Sequence, residues 1–173
     1  MMPLADKDLS ECRSISALRP VCPLQVPEAI EEKGYFHRMA ADRIGRGSKA
    51  VYLFDVEWGA PEHNRINPDD RPPDFSHLVA TAGDVSQMFG FGWPGEIETP
   101  KGQPPPDDLG ARSWGDRKGR LVLAPKYPYG GLFGSHLIFR WSEAGSDYAI
   151  SLHAWEPIAE TEAALRQTVL SVP

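Results

Sequence analysis

The sequence predicts an α+β fold: a single antiparallel sheet of about five to seven strands with a C-terminal helix packed on one face. Two observations carry this prediction. Residues 135–173 alternate apolar and polar positions along two segments joined by a short turn, and then change to helical spacing. Upstream, short runs rich in β-branched and aromatic residues recur between segments that hold many of the chain's 17 Pro and 16 Gly.

The final hairpin gives the clearest pattern. Strands at 135–142 and 147–155 are predicted on either side of the short loop 143–146. Pairing that is symmetric about this loop puts six apolar residues on one face, namely Leu137, Phe139, Trp141, Tyr148, Ile150 and Leu152. The other face then holds His136, Ile138, Arg140, Ala149, Ser151 and His153. A slip of one residue would mix the two faces, so the pattern favours this register.

A helix is predicted after the hairpin. Pro157 suits the first helical turn because its missing N–H has no partner there, and acidic residues follow it. Apolar positions then recur every three to four residues, at Ile158, Thr161 or Glu162, Leu165, Val169 and Val172. This stripe is expected to cover the apolar face of the sheet.

The remaining elements are shorter. A short helix is predicted over residues 9–19, with Pro20 as its stop. Further strands are predicted at 35–39, 50–58, 75–82, 111–114 and 120–124. We expect residues 1–25 to form a helical or irregular segment and residues 26–173 to form one α+β domain, with long loops at 59–74 and 90–110.

Charge and hydropathy exclude two classes of partner. A net charge of −6 without a local basic stripe opposes binding to nucleic acid phosphates. No apolar run approaches the ~20 residues of a transmembrane helix.

The polar, charged N-terminus lacks the apolar core of a secretory signal and predicts a cytoplasmic protein as the sequence stands. The alternative is an exported protein whose leader is absent from this sequence.

Cys12 and Cys22 bear on that alternative. They lie on either side of the turn-forming Pro20, at a separation suited to a small disulfide loop. In a reducing compartment they would be two thiols. Their spacing is not that of a CxxC zinc or redox motif.

Three histidines form a candidate metal site. The predicted register puts His136 opposite His153, with Cβ atoms roughly 5 Å apart. A divalent metal such as zinc, bound by both, would need a third ligand, which His77 or an aspartate of the segment DDRPPD could supply. The structural alternative, which the absence of a spaced metal motif favours, is a pair of half-buried histidines hydrogen-bonded to the backbone.

The long loops carry the candidate binding residues. Phe91 and Trp93 are flanked by glycines in FGFGWPG, which favours exposed apolar contacts used in recognition. Asp69, Asp70 and Asp74 offer paired carboxylates, although their segment lacks the spacing and the glycine of an EF-hand loop.

The segments YPYGGLFGSHLIFRWSEAGSDYAISLHAWEPIAETEAALRQTVLSVP and RPPDFSHLVATAG resemble a group of uncharacterised actinobacterial proteins. The resemblance covers about the C-terminal half of the chain. It rests on similarity along these segments and not on a motif that indicates a mechanism. In these proteins a CP and ALRP segment near the start looks like the one here, sometimes after an exported leader, which adds weight to the exported alternative. It implies no activity, cofactor or catalytic residue.

Together these features predict a non-enzymatic binding or accessory module without a cofactor, which recognises another protein through loop aromatics. The alternative is a small metal-dependent hydrolase-type enzyme centred on His136, His153 and His77.

Overall fold

The computed structural model describes residues 1–27, 36–44, 50–59, 76–83, 106–125, 135–154 and 157–173. At 36–42, 44, 57–59 and 76–77 it describes the backbone alone. The elements in chain order are β1 (Met2–Pro3), α1 (Asp6–Ser14), a 3-10 helix (Ser16–Val21), β2 (Gln25–Val26), β3 (Phe36–Ile44), β4 (Val51–Gly59), β5 (Ser76–Gly83), β6 (Asp107–Trp114), β7 (Arg117–Ala124), β8 (His136–Glu143), β9 (Ser146–His153) and α2 (Ile158–Leu170).

Strands β3 to β9 form a seven-stranded sheet in the order β3-β4-β5-β9-β8-β7-β6, and every neighbouring pair is antiparallel. This confirms a sheet-dominated α+β fold with a C-terminal helix. The prediction of a single sheet is wrong, because β1 and β2 form a separate two-stranded sheet. Strands of two residues carry no alternation that a sequence pattern would show.

The pairing of β8 with β9 is the predicted one. His136 pairs with His153, Leu137 with Leu152 and Trp141 with Tyr148. Both strands extend one residue further into the predicted loop, which leaves Ala144 and Gly145 as a two-residue turn with φ angles of 52° and 79°. Positive φ at both central positions suits the right-handed twist of the flanking strands.

The first face of the sheet holds the main hydrophobic core. Its strand residues are buried and include Phe54, Val56, Leu78, Leu121, Leu137, Phe139, Ile150 and Leu152. An aromatic row crosses this face, with ring centroids 4.2 Å apart for Trp114 and Phe139, 5.6 Å for Phe139 and Trp141, and 5.5 Å for Trp141 and Tyr148. The aromatic rings therefore link β6, β8 and β9 on the face that the helices cover.

Helix α2 packs on this face through the predicted stripe. Leu165 and Val169 are fully buried, and of the two residues predicted for the stripe's second position, Thr161 and Glu162, it is Thr161 that is buried. Glu162 instead accepts a 2.7 Å hydrogen bond from Arg112 on β6, which raises the pKa of that guanidinium above its ordinary value. The helix begins at Ile158. Pro157 was predicted in the first helical turn, but it lies just before the helix, at the N-cap position.

The N-terminal segment packs into the same core. Cys12 on α1 and Cys22 after the 3-10 helix are joined by a disulfide, with Cα atoms 6.0 Å apart, and both are fully buried. Leu18 and Val21 belong to the same hydrophobic cluster as the first face of the sheet. The N-terminal segment therefore contributes buried side chains to the same core as the sheet.

Strand β6 begins at Asp107, earlier than predicted, so residues 107–110 are strand and not part of a 90–110 loop. A bulge explains the difference. The pairing shifts between Asp108 and Gly110, Gly110 has a φ of 92°, and its N–H donates a 2.9 Å hydrogen bond to the Asp108 carboxylate. Asp108 also forms an ion pair with Arg120 on β7. These contacts hold a sequence of low strand propensity in an edge strand.

Helix α2 offers a matched test of docking. Leu165→Ala should lower the free energy of unfolding by about 2–5 kcal/mol, because it leaves a cavity in the core. Leu170→Ala removes the same atoms from a side chain that is 41% exposed and should change stability by about 0.5 kcal/mol or less. Urea denaturation measures both values, and equal losses would contradict the docking of α2 by this stripe.

The disulfide gives a second stability prediction. Its sequence separation of 10 residues corresponds to a stabilisation of about 3 kcal/mol through loss of unfolded-chain entropy. Dithiothreitol should lower the urea midpoint of the native chain, whereas the Cys12→Ala/Cys22→Ala double variant should be less stable and insensitive to the reductant. A native chain with the same midpoint in both conditions would show that the bond does not stabilise the fold.

Candidate functional site

The face of the sheet opposite α2, called the second face from here on, is also buried at its centre. Its apolar residues form a separate cluster of Val79, Val122, Ala124, Ile138 and Ala149, with Leu53 packed against it. All of these residues come from strands. Because the centre of the sheet is buried on both faces, the buried polar side chains of the second face stand out as candidates for function.

Four polar residues on or beside that cluster are 1% exposed or less: His136, Arg140, Ser151 and Thr81. A polar group removed from water is costly unless it is hydrogen-bonded. The Thr81 hydroxyl donates to the backbone oxygen of Ala149 at 3.4 Å. Within the described part of the chain, the Ser151 hydroxyl is buried without a hydrogen-bond partner. Such a hydroxyl is able to bind a ligand group without first breaking a protein contact.

The two predicted histidines meet on the second face. His136 lies directly opposite His153, and their rings meet edge to face with centroids 4.5 Å apart and an interplanar angle of 78°. His153 is partly buried as predicted, whereas His136 is fully buried. The sequence predicted the juxtaposition but not the depth of His136.

The pair lies at one end of the sheet, which we call the histidine end, where β8 begins and β9 ends. Antiparallel pairing also puts the end of β4, the start of β5, the end of β7 and the start of β6 there. At the opposite end, β6 and β7 are joined by the turn 115–116, and β8 and β9 by the turn 144–145. The histidine end is therefore where residues 60–75 and 125–135 leave and rejoin the sheet.

The backbone of His77, the predicted third ligand, lies in β5, the strand that neighbours β9. It pairs with Glu57 on β4, and the next residue, Leu78, pairs with Leu152 on β9. Among the side chains that the structure describes, which do not include that of His77, no group of three His, Cys, Asp or Glu is placed to hold a metal ion. The three-histidine site stays a prediction.

The other predicted site residues lie outside the described ranges. These are Phe91, Trp93, Asp69, Asp70 and Asp74. In contrast, buried Arg140 and Ser151 were not singled out by the sequence. A partial signal was present in β8, where HLIFRW is fully apolar on one face and places Ile138 between His136 and Arg140 on the other.

Comparison with protein-family models, curated proteins and solved structures gave no match. The resemblance of the C-terminal half to uncharacterised actinobacterial proteins therefore stays a prediction. Neither α1 nor α2, nor any other helix in the described ranges, is long and apolar enough to cross a membrane.

Proposed function

We propose that this protein is a non-enzymatic binding module that recognises another protein through the long connections at the histidine end. One observation carries the proposal: the strand ends that flank residues 60–75 and 125–135 meet at one end of the sheet, and tight turns close two hairpins at the other. Residues 84–106 connect the two ends, since they follow β5 at the opposite end and enter β6 at the histidine end. Recognition residues are commonly carried on loops that a rigid scaffold positions.

The described part of the chain supplies such a scaffold. Two hydrophobic clusters, a disulfide and a docked helix immobilise the sheet. The described ion pairs serve the scaffold as well, since Arg112 joins β6 to α2 and Arg120 joins β7 to β6. A rigid base lowers the conformational entropy that is lost when the connections engage a partner.

The sequence supplies contacts suited to this role. Phe91 and Trp93 are aromatic residues of the 84–106 connection, and aromatic residues are enriched among those that dominate interface energies. Asp69, Asp70 and Asp74 add negative charge to the 60–75 connection, which favours a partner with a basic surface.

The Cys12–Cys22 disulfide supports the exported alternative for this protein. Structural disulfides persist in oxidising compartments and are rare where thiols are kept reduced. We propose that the partner is met outside the cytosol.

A second candidate function, a metal-dependent hydrolase-type enzyme around His136, His153 and His77, is favoured by the backbone pairing of their strands. Its first requirement is a metal site formed by these three histidines.

The binding proposal predicts where a partner cross-links. A photo-reactive phenylalanine analogue at position 91 should capture one dominant protein in cells that produce this chain, to be identified by mass spectrometry. The same analogue at Asp116, in the turn at the opposite end, should capture none. With the purified partner, Trp93→Ala should cost roughly 2 kcal/mol or more of binding free energy, which is about a 30-fold rise in Kd.

The matched control is Leu170→Ala, which removes an exposed apolar side chain from α2 and should leave the Kd unchanged. Equal capture from positions 91 and 116, or a Kd that neither Phe91→Ala nor Trp93→Ala alters, would overturn the proposal.

A further inference from the structure

We infer that His77, His153 and His136 bind one divalent transition metal ion of the zinc type across three neighbouring strands, with Glu57 as the positioning residue for His77. This site is separate from the protein-recognition proposal and does not depend on it. Its basis is the backbone pairing of β4, β5, β9 and β8.

The pairing builds a row across the sheet. Glu57 pairs with His77, and His153 pairs with His136. Between these pairs, Leu78 of β5 is paired with Leu152 of β9 in antiparallel fashion. The residue before Leu78 is His77 and the residue after Leu152 is His153. One further step of the same register therefore brings His77 opposite His153, and the row becomes Glu57, His77, His153, His136.

All four positions have the parity of the second face. On β5, Val79 belongs to the second-face cluster and Leu78 to the main core. On β4, Leu53 belongs to the second face and Phe54 to the main core. Because successive strand residues alternate between faces, positions 77 and 57 fall in the same set as His153 and His136.

The row has the composition of a metal site. Three neutral imidazoles are a common ligand set for Zn²⁺ and leave a fourth tetrahedral position open. Adjacent strands lie about 4.8 Å apart, so His153 has a histidine on each side at that spacing. The rings of His136 and His153 already meet, with centroids 4.5 Å apart. The third histidine turns a two-residue contact into a ligand set.

Glu57 suits an outer role better than a ligand role. It lies one strand beyond His77, away from the other two histidines. A carboxylate beside a metal-bound histidine commonly accepts the ring's second N–H, which fixes the ring orientation and strengthens the ligand. On the other side of the row, Ala124 pairs with His136 and adds an apolar boundary.

Ser151 offers a group for the open position. It precedes His153 by two residues on the same face, and its buried hydroxyl has no hydrogen-bond partner among the residues that the structure describes. A water molecule or a small oxyanion bound at the fourth position of the metal would be able to hydrogen-bond to such a hydroxyl.

The experiment uses the full untagged chain, stripped with a chelator and titrated with Zn²⁺ and Co²⁺. We expect one ion per chain and, for Co²⁺, the visible absorption of a tetrahedral site. His77→Ala and His153→Ala should each weaken Zn²⁺ binding by at least about 100-fold, and Glu57→Gln by about 10–100-fold with unchanged stoichiometry, as found for outer-shell partners. His37→Ala is the matched control, because His37 pairs with Trp58, one position off the row.

His136 is fully buried, so its variants need a folding check. His136→Gln is tested beside His136→Ala, and affinity is counted for whichever retains the metal-free chain's circular dichroism and urea transition. His77→Ala and His153→Ala keep the test decisive if both His136 variants unfold.

Two results would overturn the site: a native chain that binds neither Zn²⁺ nor Co²⁺ at one ion per chain, or Zn²⁺ affinity unchanged in His77→Ala. The second would leave His136 and His153 as a structural pair. Neither result alters the cross-linking pattern expected of the recognition proposal, so the two proposals fail separately.

Discussion

The pairing register of β8 and β9 is the constraint on which the other features depend. It collects six apolar side chains on the face that α2 covers and sets His136 opposite His153 on the other. A slip of one residue would turn Leu137, Phe139 and Trp141 away from the helix and break the aromatic row. Helix docking and the histidine contact are therefore two consequences of the same alignment.

The second consequence is a sheet without an open central face. Arg140 and His136 are as deeply buried as Phe139 and Leu137, their neighbours along β8. Replacing buried polar residues with apolar ones of similar size is often neutral or stabilising, so packing alone does not explain their presence. Specific contacts or function must account for them. The proposed histidine row gives His136 one such function, because folding of the sheet brings His77, which is distant in sequence, to a position near it.

The sequence was sufficient where the determining contacts are local. The β8–β9 hairpin joins segments two residues apart, and α2 shows its stripe within one segment, so both were predictable. The β5–β9 pairing joins Leu78 to Leu152, and no local signal specifies it. The position of His77 depends on that pairing, so the sequence could name it as a third ligand without placing it. Strand β6 begins before the predicted residue 111, and the sequence did not show this because the Asp108–Gly110 bulge depends on Arg120 of the next strand.

The two proposals meet at the same end of the sheet, and strand geometry suggests how they would interact. A metal bound by β5, β9 and β8 would add a link between the ends of strands that backbone hydrogen bonds and packing already hold together. Two of those strands, β5 and β8, begin where residues 60–75 and 125–135 end. Fixing those strand ends would restrict the anchors of both connections and lower the ordering entropy that partner binding costs. Metal binding would then raise partner affinity with no metal–partner contact, and by linkage the partner would raise metal affinity by the same factor.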